Sequence, residues 1–585
     1  MTDAWPDDWI GPWWLQRRRA GASGPTACTP VGSLAGPERL LVDPRGYLGA
    51  DGCTWGVDWW VGADDRWHAP ANDAAVRQAL LGSAPVVQTS LRVPGGDVHA
   101  RVGAVAVGDG TTRAVVEVHN DSPAPAALAL ALRPATTQAT GRLAEVALRG
   151  SVVTVGGVAA VVLPGRPSLA WAGDRSAGDP FAAVAGGAAT PPGDAVEVTC
   201  AQGMAALVIV VPLAHRATYR WQLALSEVVA AAARDSGRRR RRLPGVGAPA
   251  AAVPASVPRS VTAPELAAVA RGWTAQTERL VDLALPEVAA LAPADAIRSH
   301  LLLALGVERP HPEVALAGAT AGLGVRAPAL VLGDAVAGAT AEGCAAGLVA
   351  ADRLVGLGGA VPDPRAVRAA AEVLLAAWAD APGAVPPPQG ARAAARLLAR
   401  AGESRAAERL HAAADRLGSG RPAPRASGDP AAVAAAAVAA AADGDPGWLD
   451  HLGVLTASAS PTVTWPDAAA GIGCDPVVTA RWWLALRDAL LGDTDAGTVA
   501  LLPAWSPALG RAPVEAHRLP SAAGLVSFAL RWHDDRPALL WEVDGGPDGT
   551  VVRAPALDPS WRGSRRGEAL LAAPVTPSEE SPDPR

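Results

Sequence analysis

The sequence predicts an α+β multidomain protein, with an N-terminal antiparallel β-sandwich, a helical middle and a small C-terminal β module. Three observations carry this. The first 235 residues hold many short alternating segments punctuated by Gly and Pro, the pattern of a sandwich. From Thr262 to about Ala442 apolar residues recur at helical rather than strand spacing, on runs joined by short loops, which implies antiparallel helix hairpins. Period-two alternation then returns beyond Val526.

In chain order, Trp9, Trp13 and Trp14 precede Arg17-Arg18-Arg19, and the densest motif of the first half is Trp55-Gly-Val-Asp-Trp-Trp-Val61 followed by Asp64-Asp-Arg-Trp-His68. Alternate strand residues point opposite ways, so at least one of Trp59 and Trp60 belongs to a core. Asn72 is a fitting cap for a short helix over Asp73–Leu81. Strands are expected at Val86–Val93, His99–Val107, Val152–Val155, Ala159–Leu163, Val196–Thr199 and Ala206–Val211. The turn residues Asn120-Asp-Ser-Pro123 predict a hairpin joining Ala114–Val118 to Ala127–Leu132. A connecting helix fits Leu223–Ala233, and the Arg238–Arg242 run with its Pro/Ala-rich continuation reads as a solvated linker rather than a phosphate or lipid site.

Helices are expected from Thr262-Ala-Pro-Glu265, whose cap, Pro and Glu form a start signal, and at Pro293–Leu305, Asp334–Leu357, Pro364–Ala379, Gly390–Ala401, Ser404–Leu417 and Asp429–Ala442. No internal repeat period emerges. Val526, Phe528, Leu530 and Trp532 pair across Asp534-Asp-Arg-Pro537 with Leu539, Trp541 and Val543, and Val551–Ala554 adds a strand. The domains are expected at 1–235, 263–492 and 493–572, with a linker at 236–262 and a disordered Pro/Ser/Glu-rich tail at 573–585.

Composition excludes several chemistries. All 51 basic residues are Arg, so the Lys of a P-loop, a protein kinase or a pyridoxal enzyme is missing. Five scattered cysteines make neither a disulfide framework nor a zinc site, and the ten histidines show no metal-ligand spacing. A net charge of -6 gives no general attraction to nucleic acid or anionic membrane. No signal peptide and no membrane-spanning run is read, which makes a cytoplasmic location the expectation. There is no G-x-S-x-G elbow, and Gly322-Leu-Gly324 fails the dinucleotide fingerprint. No metal and no cofactor is expected, and the residues do not speak to oligomeric state.

One stretch, Thr464–Leu502, carries a more specific pattern. Thr464-Trp-Pro-Asp467 leads through Gly471 and Gly473 to Asp475, then to an apolar helix with Trp482-Trp483 and Arg487-Asp-Ala-Leu-Leu491, then to Leu501-Leu-Pro503. It resembles the closing segment of six-hairpin (α/α-toroid) glycosidases, the glucoamylase-like bacterial carbohydrate enzymes. The resemblance implies that the helical domain is toroid-like, shortened because fewer than twelve helices are read, and that the protein is glycoside hydrolase-like. It implies an oligosaccharide or polysaccharide partner of glucan type. Asp467 stands where the pattern has its Glu, one methylene shorter, and becomes the candidate acid. Ile472 replaces an Asp, and Asp475 or Cys474 a His. Trp465 and Asp475 are the candidate substrate contacts. Asp334, in Leu330-Val-Leu-Gly-Asp-Ala335, is a third, at a place where the family carries an aromatic-Arg-Asp motif; it serves equally as a helix cap. Glycoside hydrolysis uses two carboxyls about 5–10 Å apart, and the second is not identified. Three readings stay open: a glycoside hydrolase, if active, a non-catalytic relative that binds carbohydrate or protein, and a purely structural helical scaffold.

Overall fold

Alternating short runs build two large antiparallel sheets in the first part of the chain. After helix α1 (Trp13–Arg19) come strands β1 (Thr29–Gly32), β2 (Arg39–Val42), β3 (Leu48–Ala50), β4 (Gly56–Gly62), β5 (Trp67–His68), β6 (Val76–Leu81), β7 (Ala84–Val93), β8 (Gly96–Ala106), β9 (Thr112–Asn120), β10 (Ala126–Arg133), β11 (Glu145–Arg149), β12 (Val152–Val155), β13 (Val158–Val162) and β14 (Leu169–Gly173). Helix α2 (Pro180–Ala185), β15 (Ala195–Thr199), β16 (Ala206–Leu213), β17 (Thr218–Leu223) and helices α3 (Leu225–Arg241) and α4 (Leu266–Thr277) follow. One sheet runs β1-β2-β3-β4-β10-β16-β14 with β5 beside β4, the other β15-β11-β12-β13-β17-β9-β8-β7-β6. Val57, Trp59, Leu128, Leu130 and Ile209 of the first sheet share one core with Leu91, Val102, Val116 and Trp221 of the second. Trp60 is buried on the other face of its sheet, with Ala129, Ala131, Val184 and Val208.

This computed structural model describes residues 5–22, 26–108, 110–241, 264–307, 309–338, 340–380, 389–416, 429–466, 474–495 and 497–573. Asp467, Gly471, Ile472, Gly473, most of the 236–262 linker and the tail from 574 lie outside the described residues. The chain divides into two compact units, residues 1–275 with 306–308 and 459–475, and residues 276–305 with 309–458 and 476–585. The helices and the C-terminal sheets thus share one unit.

Two local expectations are corrected. Residues 76–81 form edge strand β6 on β7, not a helix: Val76, Gln78 and Leu80 lean inward while Arg77 and Ala79 face solvent. The expected hairpin across Asn120–Pro123 is an arch between sheets, since β9 pairs with β8 and β17 while β10 pairs with β4 and β16. Asn120 builds the arch: its side-chain amide donates to Ala124 O at 2.8 Å and Leu213 O at 3.2 Å, and its Oδ1 accepts from Ser122 N.

The second unit opens with β18 (Asp282–Ala284) and carries α5 (Ala294–Leu305), α6 (Pro312–Thr320), α7 (Pro328–Gly338), α8 (Ala341–Gly356), α9 (Pro364–Asp380), α10 (Gln389–Arg400), α11 (Ser404–Arg416), α12 (Pro430–Ala442), α13 (Trp448–Ser458) and α14 (Pro476–Leu490). The expected single helix over 334–357 is two, because Thr340 caps α8 by accepting from Gly343 N at 3.1 Å. α7 and α8 approach so closely that a Cβ on Gly347 would stand 2.5 Å from that of Ala335. The alternate helices pack on each other in series, in the order α10, α8, α6, α14, α12. α5 packs on α6 and α14, α7 and α9 on α8, α11 on α10, and α13 on α12. Burial follows this layering: every residue of α6 but Glu313 is buried, as are twelve of the fifteen in α14. Trp482 and Trp483 fill the interior, their indole N–H groups donating to Thr456 at 3.2 Å and Thr320 at 3.1 Å.

β19 (Leu491–Asp495), β20 (Thr498–Leu501), β21 (Val514–Ser521), β22 (Gly524–His533), β23 (Arg536–Asp544), β24 (Val551–Ala554), β25 (Asp558–Gly563) and β26 (Arg566–Leu570) complete the unit. They form sheets β18-β21-β22-β23-β26 and β19-β20-β24-β25. β22 and β23 form the expected hairpin, with Phe528 opposite Trp541. Among the described residues no helix is long and apolar enough to cross a membrane.

Candidate functional site

The first turns of α6 and α12 are held to α14 by one side chain. Arg481, in the second turn of α14, donates through Nε to both carboxylate oxygens of Glu313, at 3.2 and 3.0 Å, and through Nη1 to Ala431 O at 3.2 Å. Helix amino ends carry partial positive charge, so an Arg placed there needs a nearby anion, and Glu313 supplies it. Local sequence explains the placement. Pro312 occupies the first position of α6, where a missing N–H costs nothing, and the His311 side chain caps the helix by accepting from Glu313 N. Asp429 and Pro430 start α12 in the same way.

Glu313 is partly exposed, and His311 Nδ1 lies 3.8 Å from its Oε2. A carboxylate, a guanidinium and an imidazole in one group can accept from and donate to the hydroxyls of a polyol. Two residues earlier Arg309 reaches Asp334 at 3.6 Å, so the segment Arg309–Glu313 links the α7 candidate to Arg481. The sequence reading passed over Glu313. Its available signal was the Pro-His-Pro-Glu start of a helix, but its partner lies 168 residues away.

The remaining candidates lie in the first unit. Trp465 is completely buried, so in this conformation its indole is packing, with no face open to a ligand. The Asp475 N–H donates to Trp465 O at 2.8 Å. Ahead of Trp465, the Ser460 hydroxyl gathers Thr462 Oγ1 at 2.9 Å and Thr464 Oγ1 at 2.8 Å, and Thr462 meets Thr29 of β1 at 2.5 Å. Val463 sits between them at φ 58°, a left-handed conformation that a β-branched residue rarely adopts. Such outliers persist only where surrounding contacts impose them, and they gather at functional loops.

Two cavities of the second unit lie elsewhere. An apolar void of about 10 Å³ at the carboxyl end of α14, lined by Trp448, Leu486, Leu490 and Trp505 among others, holds at most one water. An open groove of about 420 Å³ follows the segment Leu283–Arg298. Neither is lined by Glu313, Arg481 or Asp334. Among the described residues no cluster of three His, Cys, Asp or Glu side chains is placed to hold a metal.

No family model matches this chain, and no curated protein does. Solved structures do. One is a human-microbiome protein carrying the provisional name kojibiose phosphorylase, with 7% identity and a TM-score of 0.40 over 93% of this chain and 96% of that one. Another is ccman5, a glycosyl hydrolase of the GH92 family, with 11% identity and a TM-score of 0.34 over 68% of this chain and 62% of that one. At this distance neither assigns a reaction.

Proposed function

We propose that this is a glycosidase-like protein of carbohydrate metabolism that engages a glucan-type oligosaccharide. One observation supports the reading above others: the chain runs from a double antiparallel sheet through serially packed helix pairs to small antiparallel sheets, the order that the Thr464–Leu502 resemblance implies. In the hydrolytic version Asp467 is the acid and Asp475 a substrate contact.

The second version is binding without hydrolysis. It is favoured by the pairing of carboxyls that a reaction would want unencumbered: Glu313 is held by Arg481, and Asp334 faces Arg309. There Glu313 acts as an acceptor of sugar hydroxyls.

The test is release of reducing sugar from a panel of α- and β-linked oligosaccharides, with the wild type, Asp467→Asn and Glu313→Gln, beside calorimetric titration of the same sugars. Turnover lost in Asp467→Asn establishes the hydrolase. Binding without turnover, weakened in Glu313→Gln, establishes the second version. Neither binding nor turnover on any sugar overturns both.

A further inference from the structure

One rung of the second sheet of the sandwich sets two histidines side by side on its outer face. Ser90 of β7 pairs with His99 of β8, His99 with His119 of β9, and His119 with Thr218 of β17. Val98, Ala100, Val116 and Val118 point into the core, so by strand alternation His99 and His119 point away from it, and both are half-buried. Opposed residues of an antiparallel pair have Cβ atoms about 4.5–5.5 Å apart. Each ring is held by the strand on its far side. His99 Nδ1 lies 2.8 Å from Ser90 Oγ, and His119 Nδ1 lies 3.0 Å from Thr218 Oγ1.

Those two hydrogen bonds aim the rings. The Nδ1–Cε1 edge and the Cδ2–Nε2 edge of an imidazole lie on opposite sides of the ring. With both Nδ1 atoms turned outward, to β7 and to β17, the Nε2 edges face each other across the gap between β8 and β9. When each Nδ1–H donates to its hydroxyl, Nε2 carries the free lone pair that a metal needs, and such hydrogen bonds orient metal-ligating histidines generally. The charges on the neighbouring rungs are drawn away from the gap. Arg101 donates to Gln88 Oε1 of β7 at 2.7 Å, Arg220 of β17 pairs with Glu117 at 2.8 Å, and Asp97 faces Arg77 and Arg92 at 3.0 and 3.5 Å. Among the described residues no third His, Cys, Asp or Glu completes a cluster, so the pair supplies two ligands and leaves the other positions to water.

We propose that His99 and His119 form a two-histidine site for one divalent transition ion, with Ser90 and Thr218 as positioning residues. Imidazole suits Zn2+, Ni2+ and Cu2+, and Cu2+ binds a given nitrogen site most tightly of the three. Each Nε2 bonds the ion at about 2.0–2.1 Å. The ion bridges β8 and β9 and meets both ligands only when those strands are paired, so it stabilises the folded sandwich. Sequence spacing hides such a site, because strand pairing alone brings the two residues together.

The experiment titrates the untagged full-length protein, freed of metal by chelation, with Cu2+ and with Zn2+ in a calorimeter at about pH 7.5, where imidazole is mostly neutral. The wild type should take up one tight equivalent of either ion, Cu2+ the more tightly. His99→Ala and His119→Ala should each weaken binding at least about tenfold, and Ser90→Ala about tenfold. His451→Ala, on α13, should leave it unchanged. Electron paramagnetic resonance of the Cu2+-loaded wild type should show two coordinated imidazole nitrogens, a readout that depends on no variant folding. No saturable binding, equal affinity in the His99 and His119 variants, or coupling to a single imidazole overturns the proposal.

Discussion

Glu117, in the middle of β9, accepts a hydrogen bond of 3.0 Å from the backbone N–H of Leu266, the first residue of α4. A strand carboxylate thus caps a helix that begins 149 residues later, and Arg220 of the neighbouring strand steadies it at 2.9 Å. Leu266 itself is buried beside Gly103 of β8, where an added Cβ would stand 2.6 Å from its Cδ2. The sheet therefore holds a notch for the side chain and an acceptor for the main chain of the same residue.

Removing the acceptor should loosen that helix. Glu117→Ala leaves the Leu266 N–H uncapped and Arg220 without its partner, and should cost about 1–3 kcal/mol in denaturant unfolding. Glu117→Gln keeps an acceptor oxygen and should cost less. Gly103→Ala should cost about 1–3 kcal/mol through overpacking. Equal losses in Gln and Ala variants would sink the capping account.

Asp43 makes stability depend on pH. Its Oδ1 accepts from Arg45 N and Tyr47 N, both at 2.8 Å, while its Oδ2 is buried without a partner. Burial pushes the carboxyl up to about 7 against those two hydrogen bonds. Because the folded value lies above the unfolded one, this stabilising contribution is complete below about pH 4 and is lost as pH rises through 7. Asp58 is raised by burial too, in the same direction. Acidifying from pH 8 to pH 5 should therefore raise the Tm component due to Asp43, and Asp43→Asn should flatten that slope. An unchanged slope in the variant would refute it.

Asp488 sits between two cations. Its Oδ1 is 3.1 Å from Nη1 of Arg487, a side chain 1% exposed, and Arg353 reaches its two oxygens at 3.0 and 2.5 Å. Arg487 also donates to Leu491 O and Pro520 O, both at 2.9 Å, and so ties α14 to the end of β21. Asp488→Asn should cost about 1–3 kcal/mol, since it weakens the charged acceptor that Arg353 and Arg487 share. A loss below about 1 kcal/mol would show that the network is solvent-screened.

Val463 offers a stabilising change. Asn tolerates the left-handed region far better than a β-branched residue. Val463→Asn should stabilise by about 1 kcal/mol if the strain is carried in the free protein. Should the same variant weaken oligosaccharide binding, the strain belongs to the site.

The site was legible only in part. Asp334 was reached through the family pattern alone: the helix start expected there is corrected by the structure, which places it inside α7 (Pro328–Gly338). Glu313 could not: nothing in Arg309-Pro-His-Pro-Glu313 reveals that α14 will bring Arg481 against it, and the ion pair gives the residue its interest. Trp465 shows the converse, since an aromatic in a loop motif reads as a platform until packing buries it.

By itself the sequence determined what depends on near neighbours. Period-two alternation and turn residues specified β22 and β23 as a hairpin, helical spacing and caps specified α5 and α9 to α12 within a residue or two, and the absence of lysine excluded whole chemistries. Tertiary structure alone decided which strands pair. The Asn120–Pro123 turn is the same locally whether its flanks join one sheet or two, and only burial against distant β4, β16, β8 and β17 made it an arch. It also decided β6, where pairing with β7 overrode a helix cap, and the meeting of Arg133 with Ile10 and of Arg481 with Glu313. Local signals set φ and ψ through short-range sterics and hydrogen bonds. Partner choice is set by burial shared between residues far apart in the chain, which no local window contains.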